Sequence, residues 1–265
     1  MFLCCGYNYT DGGAMMKKRI MITVAYDGSE YFGWQKQADK SCPTVQETLE
    51  KSLGVFFKQE INCIGASRTD RGVHAFGQRA VIEVYTTVPT EKLPMALHSF
   101  LPEDISVVDA VEVEENFHPR YDCIQKTYEY KIYNAKYRNP VFRKYSEFNH
   151  NNLDIIAMDA AAKALIGEHD FKSFAASGGS AKTSVRTIFD ISVKKSGDFI
   201  IIRVTGNGFL YNMVRIIAGT LILAGEGKID RRGVKEILEA KDRTKAGKTA
   251  GPQGLTLVEI KYDKY

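Results

Sequence analysis

The sequence has little that marks a membrane protein, a metalloprotein or a nucleotide-cofactor enzyme. No apolar run approaches the ~20 residues that a membrane-spanning helix needs. The five cysteines form no Cys-x-x-Cys pair, and the five histidines are isolated from one another, so metal-ligand spacing is absent. Neither a phosphate-binding loop nor a dinucleotide glycine pattern occurs. We therefore expect no membrane span, no metal and no small-molecule cofactor.

The composition is that of an ordinary globular protein. The chain has 265 residues, of which 44% are hydrophobic and 26% charged, so it is long enough for two domains. Its net charge of +4 permits a nucleic-acid partner but does not identify one. Scattered cysteines in odd number fit a reducing compartment. No basic segment precedes the apolar residues at the start, so a signal peptide is not expected. We expect a cytoplasmic protein.

The first half of the chain alternates between strand and helix patterns. Thr44-x-x-Glu47 forms a capping box in front of an amphipathic stretch, which predicts a helix start. The predicted elements are a strand at 20–26, a helix at 44–56, strands at 61–64 and 79–85, a helix at 90–101 and a strand at 105–113. This order, β-α-β-β-α-β, is typical of the ferredoxin-like arrangement.

The second half repeats the order with one extra helix. Its predicted elements are a strand at 126–133, a helix at 152–165, a hairpin of strands 185–193 and 199–205, helices at 209–223 and 230–240, and a strand at 255–262. No residue-level repeat supports a duplication. We predict an α+β fold of two ferredoxin-like βαββαβ halves with adjoining antiparallel sheets and a central cleft. The predicted divisions are a poorly ordered extension (1–18), an N-terminal half (19–116) and a C-terminal half (117–265).

The segment 65–78 interrupts the strand pattern with charge, glycine and histidine. Asp70 lies between Arg68 and Arg71, with Gly72 next. Neighbouring cations favour the ionised carboxylate, and an ionised Asp can act as a nucleophile. A charged turn is the simpler interpretation of an isolated Arg-Asp-Arg triplet, but the length and composition of this segment favour a site.

Four motifs carry a resemblance to a known family. Residues 67–75, Ser-Arg-Thr-Asp-Arg-Gly-Val-His-Ala, resemble the Arg-Thr-Asp-x-Gly-Val-His signature of the TruA-type tRNA pseudouridine synthases. Segments 26–35, 126–130 and 209–215 match further family motifs in family order. Ser67 replaces the family's usual Gly and Arg71 its frequent Ala, and neither change touches Asp70.

The resemblance implies an enzyme that isomerises uridine to pseudouridine in the anticodon stem-loop of tRNA, at uridines 38 to 40. It implies that Asp70 is the nucleophile and that Arg215 holds Asp70 ionised through a bidentate contact. We then expect a depressed pKa for Asp70. Tyr128 would pack on the target base and remove a proton. Arg68 is the residue predicted to hold the phosphate of the extruded nucleotide or to fill its place. The resemblance also implies a homodimer with tRNA as its partner.

Several other side chains could have either a structural or a functional role. Tyr130 shares a strand face with Tyr128 and is predicted to be structural. His74 can serve acid–base chemistry or, as we favour, a loop-stabilising hydrogen bond. The loop aromatics Tyr31, Phe32 and Trp34 can stack on bases or cover the core. Other cations could follow an RNA backbone, namely Lys17, Lys18, Arg19, Arg79 and Lys182.

Two other functions compete with this interpretation. A non-catalytic RNA-binding or chaperone protein would explain fold and charge, but it gives no reason for Asp70 between two arginines. The other is a carboxylate-dependent glycosidase or phosphohydrolase. A glycosidase would need a second carboxylate near the first, and the segment 65–78 supplies none; metal-dependent hydrolysis lacks a ligand cluster.

The first fourteen residues are predicted to be dispensable, because the motifs begin after them and they carry no helix or strand pattern. A chain that begins at Met16 should melt at the same temperature as the full sequence. A clear fall in the melting temperature would contradict this and would show that the apolar start docks on the rest.

Overall fold

A computed structural model describes residues 15–38 and 41–265. Its framework is a mostly antiparallel sheet of ten strands in the order β4-β1-β3-β10-β5-β9-β8-β7, with β2 beside β3 and β6 beside β5. The strands are β1 (Met16–Tyr26), β2 (Ile64–Gly65), β3 (His74–Thr86), β4 (Ile105–Glu112), β5 (Gln125–Asn134), β6 (Glu147–Asn149), β7 (Gly167–Asp170), β8 (Val185–Ser196), β9 (Phe199–Gly206) and β10 (Leu255–Lys261).

Five α-helices pack on this sheet. They are α1 (Val45–Phe57), α2 (Leu93–Leu97), α3 (Ile155–Ala162), α4 (Met213–Gly225) and α5 (Arg231–Ala240). The predicted cap of α1 is present, since Thr44 Oγ1 accepts a hydrogen bond from the Glu47 amide at 3.3 Å. α3 begins later than predicted, with Asp154 rather than Asn152 as its cap. None of these helices in the described part of the chain is long and apolar enough to cross a membrane.

The N-terminal half, β1 to β4, has its core between the sheet and α1 and α2. β1 and β3 pair antiparallel, with Ile20 opposite Ile82 and Ile22 opposite Ala80. Ile20, Ile22, Ala80 and Ile82 are fully buried on the face that the helices cover. Met21 and Val81 on the opposite face are buried as well, so the centre of these strands is covered on both sides. From the helices, the buried side chains include Leu49, Leu53, Leu93 and Leu97.

The C-terminal half, β5 to β10, is built around α4. Eleven of the thirteen residues of α4 are buried, which confirms the predicted apolar surroundings of this helix. The helix begins at Met213, four residues later than predicted. The preceding residues form a loop that ends at Asn212, which has a left-handed backbone (φ 59°).

One sheet spans both halves, and the strand that joins them is β10. β10 pairs antiparallel with β5 and parallel with β3, where Thr256 lies opposite His74 and Leu257 opposite Ala75. The prediction of two adjoining antiparallel sheets was therefore wrong at the junction. Gly77 permits the close approach there, because a Cβ atom on it would lie 2.4 Å from the Val258 carbonyl oxygen.

The predicted N-terminal extension is too long at its inner end. Met16, Lys17 and Lys18 already belong to β1, because β1 continues alongside β3 as far as Thr86. Residues 1–14 lie outside the described residues. The predicted boundary at 116/117 falls in the connection between β4 and β5, and the division into 19–116 and 117–265 stays a prediction.

Replacing Gly77 with Ala should weaken the junction of the two halves, because the added methyl group meets a backbone oxygen that cannot rotate away. We expect the free energy of unfolding to fall by about 1–3 kcal/mol, measured by urea denaturation. Phe76→Ala is the matched control. Its side chain is 65% exposed, so the loss should stay below about 1 kcal/mol. Equal effects of the two substitutions would contradict the assignment.

Candidate active site

Asp70 lies in a short loop between β2 and β3. β3 begins at His74, earlier than predicted, so the loop itself spans only residues 66–73. The residue before Asp70 anchors this loop. The Thr69 carbonyl accepts a hydrogen bond from the Trp34 amide at 3.1 Å. The Thr69 hydroxyl lies 2.8 Å from the Tyr26 hydroxyl. Gly33 makes the contact possible, because a Cβ atom there would lie 2.4 Å from the Thr69 carbonyl oxygen.

A buried polar network fixes the start of the same loop. Gln78 is fully buried and bonds both backbone groups of Ser67. It accepts from the Ser67 amide at 3.2 Å and donates to the Ser67 carbonyl at 2.6 Å. The Ser67 hydroxyl in turn lies 2.9 Å from the Tyr128 hydroxyl. Such a satisfied network restricts the conformations of its members. Ser67 and Gln78 were not predicted as supporting residues, although both lie inside segment 65–78.

Arg215 reaches Asp70 from the first turn of α4. Its Nη1 donates to Asp70 Oδ2 at 3.2 Å and to Asn212 Oδ1 at 2.7 Å. Its Nε donates to the Ala250 carbonyl at 2.8 Å. The predicted contact between Asp70 and Arg215 is thus present. It is a single N–H···O contact rather than the predicted bidentate one, since Nη1 also donates to Asn212 and Nε is directed at Ala250. Asn212 was missed, although an Asn directly before a helix is a usual start signal.

The electrostatics of Asp70 differ from the prediction. Burial raises the pKa of Asp70 above its usual value, and the charge and hydrogen bond of Arg215 only partly offset this effect. The expected depressed pKa was therefore wrong. Arg68 and Arg71 are exposed, and Arg215 is the only ion-pair partner of Asp70 in the described ranges. The Arg71 guanidinium instead lies 4.0 Å from the centre of the Phe32 ring.

Tyr128 lies buried beside the Asp70 loop. Its ring meets Phe209 edge to face, with 5.2 Å between the ring centres. Burial, opposed by the Ser67 hydrogen bond, raises the pKa of Tyr128 to about 12. The phenol is therefore protonated at neutral pH and poorly suited to remove a proton. Tyr130 is structural as predicted, since it is fully buried and its hydroxyl donates to the Gly251 carbonyl at 2.8 Å.

These elements enclose a cleft of about 550 Å³. Arg68, Asp70 and Tyr128 all line it, whereas Arg215 contacts Asp70 from outside the lining. Residues 178–181 and 209–214, the latter comprising the end of the loop before α4 and the first two residues of α4, also line the cleft. Among the described residues that line the cleft, Asp70 is the only acidic one. The structure thus brings three of the four predicted site residues to one surface and places the fourth directly behind Asp70.

The remaining predicted residues divide between core, cleft and surface. Tyr31 and Trp34 are buried in the core, whereas Phe32 lines the cleft. His74 makes loop-stabilising hydrogen bonds, accepting from the Gly28 amide at 3.1 Å and bonding the Lys144 carbonyl at 2.9 Å.

Most of the cations that we had considered for RNA binding are paired with acidic residues. Lys17 and Arg19 pair with Glu83, Lys18 pairs with Glu112, and Arg79 pairs with Asp109. Two unpredicted cations, Arg120 and Lys126, line the cleft. Within residues 15–38 and 41–265, no three His, Cys, Asp or Glu side chains are grouped to hold a metal ion.

Comparison with known proteins gives consistent matches over most of the chain. A family model described as tRNA pseudouridine synthase matches residues 22–122 and 161–263. The tRNA pseudouridine synthase A of Thermoanaerobacter sp. (strain X514) is 51% identical over 92% of this chain and 100% of its own length. That of Caldicellulosiruptor bescii is 47% identical over the same shares. The tRNA pseudouridine synthase A 2 of Clostridium tetani is 48% identical over 94% of this chain and 100% of its own.

Removing Arg215 should destabilise the fold through Asp70. Arg215→Ala leaves a partly buried carboxylate without its cation, which should raise the pKa of Asp70 further and cost about 1–3 kcal/mol of unfolding free energy at pH 7. Adding Asp70→Asn to this variant should restore part of the loss, because the stranded charge is gone. Urea denaturation of the four proteins measures the cycle, and additive losses would contradict the coupling.

The sign of the pH dependence follows from the raised pKa. Because the folded protein holds the Asp70 proton more tightly than the unfolded chain, this group favours folding most below its unfolded pKa. That contribution disappears as the pH rises through the folded pKa. In the same cycle, Asp70→Asn alone should therefore gain stability relative to wild type on going from acid to neutral pH. The opposite trend would show that the ion pair outweighs burial.

Proposed function

The chain belongs to the tRNA pseudouridine synthase family and isomerises uridine to pseudouridine in tRNA, and from this premise we propose that Asp70 is its nucleophile. In the reaction, the bond between ribose C1′ and uracil N1 breaks, the base turns, and C1′ bonds to C5. The C5 proton leaves and N1 gains a proton, so no atom or electron is consumed. Asp70 can attack C1′, assist loss of the 2′-proton to give a glycal, or attack C6. Each route starts from the ionised carboxylate.

The observation that carries the proposal is the isolation of Asp70 as the acidic group of the cleft. It is the only carboxylate among the described lining residues, it contacts Arg215 at 3.2 Å, and its loop is anchored on both sides. A glycosidase would place a second carboxylate within reach of the first. An RNA chaperone would have no use for a partly buried Asp that burial makes harder to ionise.

We assign distinct roles to the other three residues. Arg215 keeps Asp70 ionised against the effect of burial and orients it. Tyr128 packs against the uracil, with Phe209 at the edge of its ring. Because its pKa is about 12, we assign the phenol to positioning rather than to the proton removal that the resemblance implies. Arg68 is exposed at the cleft, where it can hold the phosphate of the extruded nucleotide or fill its place. Extrusion costs a few kcal/mol.

The substrate position and the assembly are further proposals that rest on the family resemblance. We propose that the target lies in the anticodon stem-loop, at uridines 38 to 40, and that the enzyme acts in the cytoplasm without a metal or small-molecule cofactor. We also propose a homodimer in which one tRNA contacts both subunits. The net charge of +4 per chain adds across the dimer and strengthens attraction to the RNA.

For the fold, we propose that each half is ferredoxin-like. The order of connected strands supports this description. In the N-terminal half the order across the sheet is β4-β1-β3-β2, and in the C-terminal half it is β10-β5-β9-β8. In both, the last strand lies beside the first, as the split β-α-β arrangement requires.

Tritium release from tRNA tests the assignment of Asp70. Wild-type enzyme incubated with unmodified tRNA transcript that carries tritium at uridine C5 should release it, because C5 exchanges its proton for the bond to ribose. Asp70→Asn should bind the transcript with unchanged affinity but release tritium at least about 10³-fold more slowly. The amide is nearly isosteric and cannot attack.

Two outcomes would count against this assignment. Turnover by Asp70→Asn within tenfold of wild type would remove Asp70 from the nucleophile role. Tight binding by wild type without tritium release would support the RNA-binding alternative. Filter retention measures binding to the same transcript, so that loss of tritium release can be distinguished from loss of RNA binding.

A further inference from the structure

Three neighbouring cations, two of which line the cleft, have no carboxylate partner in the described part of the chain. Lys126, Arg120 and Arg186, here called the cationic group, form no ion pair within residues 15–38 and 41–265, whereas Lys17, Lys18, Arg19 and Arg79 all do. Arg120 and Arg186 repel the Lys126 ammonium and add to the effect of burial in lowering its pKa.

The cationic group is partly buried, which makes its unpaired charge costly. Burial is the largest influence on Lys126 and lowers its pKa, and it also lowers the pKa of Arg186. Lysine and arginine are rarely taken out of water unless an anion accompanies them. The hydrogen bonds that the structure gives them are to neutral oxygens. Lys126 donates to the Ala66 carbonyl at 2.8 Å, and Arg186 donates to the Thr183 carbonyl at 3.0 Å.

The strand register places the group next to the reacting centre. Lys126 and Tyr128 lie on the same face of β5, two residues and therefore about 7 Å apart along the strand. Lys126 pairs with Gly206 of β9, and Gly206 pairs with Ile188 of β8. Arg186 lies two residues before Ile188 on β8, at the same end of these strands as Lys126. Arg120 and Lys126 line the cleft that contains Asp70.

We propose that Lys126, Arg120 and Arg186 form a phosphate-binding site for a phosphodiester of the RNA strand that flanks the target nucleotide. This inference rests on the proposed function. An anionic RNA strand that enters the cleft carries a phosphate on each side of every nucleotide, and the base held by Tyr128 leaves one of them within reach of Lys126. The site does not include Arg68, which is an exposed residue of the Asp70 loop.

Lys126 also has a purely structural alternative role. Its bond to the Ala66 carbonyl lies one residue before Ser67, so loss of Lys126 could disturb the Asp70 loop without any phosphate contact. A fall in activity alone does not separate the two roles. The measurement must therefore report on the charge of the RNA.

The test couples a neutral side chain with a neutral phosphate. The substrate is an anticodon stem-loop RNA in which the phosphate 5′ or 3′ of the target uridine is replaced by a methylphosphonate. With wild-type enzyme, one of the two replacements should weaken binding by about tenfold or more. Lys126→Met should weaken binding of the unmodified RNA by a similar factor, and it should show no further loss with that methylphosphonate.

The salt dependence gives a second readout. Loss of one phosphate contact should reduce the slope of log affinity against log salt by about 0.7 for a single strand. Arg120→Gln and Arg186→Gln should act in the same direction, and Lys126→Arg should retain the wild-type slope. Lys194→Met is the matched control, since Lys194 is an exposed cation on β8 and should leave both slope and affinity unchanged.

Two results would overturn the proposal and leave Lys126 as a support for the Ala66 carbonyl. In the first, Lys126→Met loses further affinity with each of the two methylphosphonates. In the second, the salt slope of Lys126→Met equals that of wild type. Tritium release by wild-type enzyme from the unmodified stem-loop keeps this failure distinct from failure of the proposed function. Without that release the activity assignment itself falls, whatever the binding data show.

Discussion

The contact between Asp70 and Arg215 is the constraint on which the rest of the structure depends. One partner lies in a loop of the N-terminal half and the other on the first turn of α4 in the C-terminal half. A distance of 3.2 Å leaves little tolerance between the two halves, since hydrogen bonds weaken quickly beyond this range. The continuous sheet, the anchors on Thr69 and Ser67, and the bond from Arg215 to Ala250 all serve to hold that distance.

Burial opposes charge on several groups of the cleft at once. It raises the pKa of Asp70 and Tyr128 and lowers that of Lys126. Within the described residues, Arg215 is the one ion-pair partner of Asp70, and its charge opposes the effect of burial on the pKa of that carboxyl. In the proposed complex, the cationic group is balanced by the RNA strand itself, so the enzyme and its substrate each supply charge that the other lacks.

Most of the framework could be predicted from the sequence because local patterns determine it. The capping box at Thr44 and the apolar alternation in β1 and β3 are determined by residues close together in the sequence, so the sequence alone predicts them. β6 and β7 are too short to show a period. The proximity of Lys126 to Arg186 depends on the pairing of β5, β9 and β8, which no local pattern contains. The family motif singled out Asp70, Tyr128 and Arg215, but it could not show that Asp70 pairs with Arg215 rather than with Arg68 or Arg71, because side-chain contacts of a loop depend on tertiary packing.

The position of β10 has a consequence for biosynthesis. This strand separates β3 from β5, yet it follows both by more than a hundred residues. While the ribosome is still adding earlier residues, the edge of β3 that β10 will cover remains unpaired, and unpaired edges invite association with other chains. Pairing between such distant segments is also slow. The two halves can therefore join into one sheet only after residues 255–261 have been synthesised, because β10 supplies the pairing to both β3 and β5.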